Sequence, residues 1–115
     1  MMRYLLFISF LSLVAILVAC SKGDQGGINP VCNGVAASFS TDVNPLIQTF
    51  CNQAACHNPG STNGPGPLTN YNEVFNARVA IRGQVLAGLM PQNTTLTAAQ
   101  KNAIICWIDN GAQNN

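Results

Sequence analysis

Charge is scarce in this chain. Only 8% of its 115 residues are Asp, Glu, Lys or Arg, and the formal net charge is +1. No stretch gathers enough Lys or Arg to release many counterions from a phosphate backbone, which argues against nucleic acid as a partner. No acidic block exists either, so docking to another protein would lean on apolar contact more than on charge steering. Histidine is almost absent, with His57 the single example. Without a second histidine or paired carboxylates on one face, no residue reads as a catalytic acid or base. No internal repeat is visible.

The N-terminus is where apolar residues concentrate. Met1-Met2-Arg3 makes a short positive start, and Tyr4 to Ala19 is apolar except for Ser9 and Ser12. The run closes on Leu17-Val18-Ala19-Cys20. A charged start, an apolar middle and small residues before a cut are the layout of a signal peptide. The ending resembles a bacterial lipobox, which implies that Cys20 becomes the lipidated first residue of the mature chain. An uncleaved anchor helix is the competing reading, but the run falls short of the ~20 residues a span needs. Ser21 after that cysteine, in place of Asp, favours the outer membrane. The expected organisation is a lipoprotein signal peptide over 1–19, a lipidated flexible tether over 20–38 and one domain over 39–115. The location implied is the bacterial cell envelope, lipid-anchored, facing the periplasm or the cell surface.

The domain is modest in apolar content once the leader is removed, and small domains of that kind usually need a staple or a cofactor. Its cysteines suggest both. The chain has five. Cys51-Asn52-Gln53-Ala54-Ala55-Cys56-His57 ends in a Cys-His step, the part of the Cys-x-x-Cys-His haem-attachment signature that sets an imidazole under iron. Four residues separate the cysteines here instead of two. The extra two can loop out, because only the sulfurs must match the haem vinyl groups. With Cys20 assigned to lipid and Cys51 and Cys56 to haem, Cys32 and Cys106 remain. Outside the cytoplasm two spare cysteines usually pair, closing a loop worth about 2–4 kcal/mol. The alternative is that Cys106 is a buried apolar thiol.

Met90 is the only methionine left after signal cleavage, and it sits in Gly88-Leu89-Met90-Pro91. A thioether opposite a histidine is a common axial pair for haem iron. Filling the core is the ordinary fate of a lone methionine. Trp107 reads as core, with the edge of a haem as the other option. Arg78 and Arg82 are candidates to pair with haem propionates, since guanidinium suits carboxylates, or else form a solvated face. Asn93-Thr94-Thr95 matches a glycosylation sequon that carries no weight in a bacterial chain.

The elements expected are helical. Phe39 to Phe50 presents Val43, Leu46, Ile47 and Phe50 on one face, capped by Ser40 or Thr41, with Asp42 in the first turn and Pro45 near the start. Residues 58–69 are a Pro/Gly-rich loop that would wrap one edge of the ring. Asn70 and Glu73 form a capping box for a helix through about Ile81, burying Val74, Phe75 and Val79. Gly83 and Gly88 mark a break and a turn. Thr97 and Gln100 open a last helix that runs to about Asn110 and ends at Gly111. Its apolar face is Ala99, Ala103, Ile104, Trp107 and Ile108.

Taken together, Phe39-Ser40-Thr41-Asp42-Val43, Pro45-Leu46-Ile47, Cys51-x4-Cys56-His57, Leu89-Met90-Pro91 and Trp107-Ile108-Asp109-Asn110-Gly111-Ala112 resemble a small bacterial c-type cytochrome domain. The likeness covers residues 39 to 112. It is similar to cytochrome c-like domains that carry the expanded Cys-x4-Cys-His motif. The resemblance implies an all-α fold of three to four helices around one covalent haem. It implies Cys51 and Cys56 as thioether anchors, His57 and Met90 as axial ligands, and redox proteins as partners. The activity implied is electron transfer, with no enzymatic reaction and no small-molecule substrate. The competing expectation is a structural or binding lipoprotein without haem, in which Cys51, Cys56 and His57 serve a disulfide or a zinc site completed by Cys32 or Cys106.

Overall fold

In the computed structural model, the described residues are 32–115. The leader over 1–19, Cys20 and the first part of the tether lie outside them. The described residues are all-α. A π turn, Phe39–Val43, runs directly into helix α1, Asn44–Phe50. Helix α2 spans Tyr71–Leu86 and helix α3 spans Ala98–Asp109. Among the described residues no helix is long and apolar enough to cross a membrane.

The first helical segment covers the expected Phe39 to Phe50, but its cap lies further upstream. Ser38, not Ser40 or Thr41, is the cap, and its hydroxyl accepts from Thr41 N. Val43 N then bonds Ser38 O at 3.1 Å, one residue wider than an α turn. Pro45 explains the widening. It has no N–H for the carbonyl four residues back, and its ring would collide with that carbonyl in a regular α-helix. The π turn opens that spacing ahead of Pro45 and still buries Phe39 and Val43.

Helix α2 passes through Gly83, where a break was expected, and continues to Leu86. A mid-helix glycine costs only about 1 kcal/mol against Ala, and burial of Ile81 and Val85 on either side outweighs that. The buried face is Val74, Ala77, Ile81 and Val85. Val79, expected inside, is 76% exposed. Phe75 is half-buried, with Tyr71 stacked at 5.5 Å on one side and Arg78 at 4.0 Å over its ring. Asn70 caps Glu73 N at 3.1 Å, but the returning limb is shifted by one residue: the Glu73 carboxylate accepts from Thr69 N at 2.6 Å and Thr69 Oγ1 at 2.7 Å.

Helix α3 is the centre of the domain, packed on both α2 and the π turn. That is why four consecutive residues, Ile104, Ile105, Cys106 and Trp107, are all buried, where a single stripe was expected. Ala99, placed on that stripe by periodicity, is exposed. The Thr97/Gln100 capping box opens the helix as the sequence indicates, worth about 1 kcal/mol. Its end is a Schellman closure, with Gly111 N on Ile108 O and Ala112 N on Trp107 O at 2.8 Å. The closure demands a residue of positive φ, and Gly111 supplies it at +103°. Trp107 is core: its Nε1 donates to Gln113 O at 2.8 Å, and its ring lies 5.4 Å from Phe39.

Cys32 and Cys106 are bonded, with Cα atoms 5.2 Å apart. Asn110 Nδ2 also holds Val35 O at 3.2 Å. Residues 32–38, assigned to the tether on composition, are therefore pinned against α3 and belong structurally to the domain.

A candidate cofactor cavity

One cavity of about 1030 Å³ opens between the loop after α1, the middle of α2 and the loop after α2. It is at the large end of the ~300–1,000 Å³ usual for ligand pockets. Cys51, Cys56, His57 and Met90 all line it. These four residues are separated by up to 39 positions in sequence, and folding brings them to one wall system. Phe50, Leu68, Ile81 and Val85 supply apolar surface, and Gln84, Gln92 and Asn93 supply neutral amides. No carboxylate, lysine or arginine is among the lining residues.

The cysteine loop is a folded object. Cys51 is the C-cap of α1, its N–H bonded to Ile47 O. The chain then turns through Asn52 to Ala55 and comes back, so that His57 N reaches Cys51 O at 3.1 Å. Gln53, Ala54 and Ala55 are exposed, with Gln53 and Ala55 at the rim of the same cavity, while His57 is 8% exposed. Ala55 takes a φ of +63°, an uncommon conformation for a residue with a Cβ. The two extra residues are thus absorbed in a bulge, and the Cys-His step stays against the cavity.

His57 Nδ1 lies 2.8 Å from Gly66 O. A carbonyl only accepts, so Nδ1–H is the donor, and it is Nε2 that is left for another partner. Orientation of one ring nitrogen by a carbonyl is how proteins prepare the other as a metal ligand. Gly66 has a φ of +102°, outside the range of L side chains, and this turns its carbonyl toward the ring. Leu68 N closes the same loop on His57 O at 2.9 Å. The Pro/Gly-rich loop was expected to wrap the ring of a haem; what it does here is line the cavity and fix the imidazole.

Cys51 and Cys56 are free thiols, both half-buried. Burial, with a smaller contribution from neighbouring Cys56, pushes the Cys51 thiol up to about 11. Both cysteines line the cavity, and burial holds Cys51 in the thiol form.

Met90 is positioned by the end of α2. Leu89 N and Met90 N both bond Gln84 O, at 2.9 and 3.3 Å, after a turn at Gly88 of φ +70°. Leu89 points out, 60% exposed, and Met90 is half-buried at the cavity wall. The extra turn of α2 beyond Ile81 sets the height at which Met90 meets the cavity.

The arginines are elsewhere. Arg82 forms a bidentate pair with Asp109, Nε to Oδ1 at 2.6 Å and Nη2 to Oδ2 at 2.9 Å, tying α2 to α3. Arg78 donates to Phe75 O and covers the Phe75 ring. Neither lines the cavity, so the proposed propionate role is withdrawn for both. The reason is their partners: Asp109 on α3 takes Arg82, and the Phe75 carbonyl and ring take Arg78. The zinc alternative also loses ground, because its further ligands, Cys32 and Cys106, are consumed by their own bond. Among the described residues no three His, Cys, Asp or Glu side chains converge into a metal-holding group.

Sequence reasoning missed the Gly66 carbonyl, the Gln84 carbonyl and the clamps on the cysteine loop. The Gly64-Pro65-Gly66 run, in which Gly66 takes a positive φ, was the nearest signal. No family model, curated protein or solved structure matches the chain.

Proposed function

We propose that this protein carries electrons through one covalently held haem in a c-type cytochrome-like domain. The observation that carries the reading is the convergence of two free thiols, an imidazole with Nδ1 already engaged, and a thioether on one large, mostly apolar cavity. That donor set fits haem c. Cys51 and Cys56 would hold the group as thioethers. His57 would ligate through Nε2, with the Gly66 carbonyl fixing the ring. Met90 would supply sulfur from the loop after α2, and a Met/His pair raises reduction potential. Haem supplies a one-electron ferrous–ferric couple. The chain itself would exclude water with Phe50, Leu68, Ile81 and Val85, and no residue at the cavity is needed for substrate chemistry, so the protein is read as a carrier and not an enzyme.

The partner is another redox protein. With the only titratable lining groups being Cys51, Cys56 and His57, and with Val79, Leu86 and Leu89 exposed on α2 and beyond it, contact would be chiefly apolar. Cys20 would anchor the chain by lipid in the bacterial envelope, on the outer-membrane side.

The test is to express the chain where c-type maturation operates, purify it under denaturing conditions and record oxidised and reduced spectra. A sharp reduced band that survives denaturation is expected. No band, beside a control cytochrome matured in the same cells, overturns the reading. Met90→Ala should keep haem attached and let reduced iron take up carbon monoxide. An unchanged spectrum with no uptake would remove Met90 as a ligand.

A further inference from the structure

We propose that Gln53 and Asn63 are positioning residues for the two thiols, and that they are what makes a four-residue spacer workable. The inference rests on the haem reading above. A longer spacer has more conformations to lose before both sulfurs face one cavity. This loop meets that cost with side-chain bonds at both ends. Gln53 Nε2 donates to Thr49 O at 2.7 Å and to Gln48 O at 3.2 Å, carbonyls in the last turn of α1. Carbonyls at a helix end have no intrahelical partner, so the inserted residue caps the helix that carries Cys51. Cys56 N returns to Gln53 O at 2.9 Å, so the same residue holds the second cysteine. From the other side Asn63 Nδ2 donates to Ala55 O at 2.9 Å and Cys56 O at 3.1 Å, and Ser61 Oγ also donates to Cys56 O. Ala55 at φ +63° is the kind of strained residue that persists only where its surroundings over-determine it. Gln53 and Asn63 are exposed at the rim of the cavity, so replacing them empties no core.

Each thiol would add its sulfur to one vinyl carbon and its hydrogen to the other, an addition that needs no oxidant and expels no leaving group. If one sulfur is misplaced, that addition fails while the other proceeds. In matured chain, the Gln53→Ala/Asn63→Ala double variant should lower the two-thioether fraction about fivefold or more, with singly attached haem taking its place. Peptide mass and the reduced pyridine band, which moves when one vinyl survives, both report this. Gln53→Lys alone, with Asn63 intact, should keep the wild-type fraction, since an ammonium can donate to the same helix-end carbonyls. A variant with the wild-type fraction overturns the positioning role and leaves the haem reading intact. A wild type without haem overturns the haem reading instead.

A second measurement needs no haem. Phenylarsine oxide binds two thiols within reach, forming two As–S bonds and releasing water. The apo double variant should bind it about tenfold more weakly than the apo wild type, because two pre-placed thiols become two wandering ones. Equal affinity overturns the clamp.

Discussion

Replacing Cys32 and Cys106 together by Ala should cost this domain a large share of its stability. The bond joins residues 74 apart in sequence. Releasing a loop of that size gives the unfolded chain up to about 4.5 kcal/mol of conformational freedom, and measured disulfides more often return about 2–4 kcal/mol. The native side of the balance also loses. Cys106 is fully buried, so Ala leaves a sulfur-sized gap in the core. Residues 32–38 would keep the exposed Asn110–Val35 bond and the packing of Ala37 on the core. At ~4–8 °C per kcal/mol for a domain of this size, the melting midpoint should fall by ~10–25 °C. Thermal melts by circular dichroism, on the apo chain and on any haem-loaded form, measure it directly. Reductant added to the wild type should reproduce the drop, since Cys51 and Cys56 hold no disulfide to be reduced. A midpoint within about 3 °C of wild type would refute the entropic argument and make the bond incidental to the fold.

Two further outcomes follow from ionisation. With the Cys51 thiol pushed up to about 11 from an ordinary 9.0, its alkylation by iodoacetamide at pH 8 should be roughly tenfold or more slower in the folded apo chain than in denaturant, and equal rates would contradict the burial. The Arg82 bond and charge hold the Asp109 carboxyl below its ordinary 3.8. A depressed carboxyl adds stability that is complete above its unfolded value and is lost as pH falls through the lower folded value. Acid melts below about pH 4 should therefore be flatter for Asp109→Asn than for wild type, and the difference should shrink with salt. Parallel curves would show that the pair does not couple α2 to α3.

Much of this protein was legible from short stretches of chain. The caps at Asn70 and Thr97 and the Gly111 stop are decided by residues within five positions of each other, where local hydrogen bonding and steric limits dominate. The four candidate site residues were legible too, because thiol, imidazole and thioether chemistry belongs to the residue type and not to the fold. What periodicity could not give was which face of a helix is covered. Val79 looked internal and is exposed, and Ile105 and Cys106 lay off the expected stripe and are buried, because neighbours from distant segments surround α3 and leave one side of α2 open. Arg82 reached for Asp109 on the next helix and not for the cavity, a choice made by packing. The carbonyl of Gly66 on His57, and the height of Met90 set by the end of α2, also needed the assembled chain. Sequence alone named the candidate donors. Tertiary structure decided that they share one cavity, because only burial against α2 brings segments so far apart in the chain within reach of a single group.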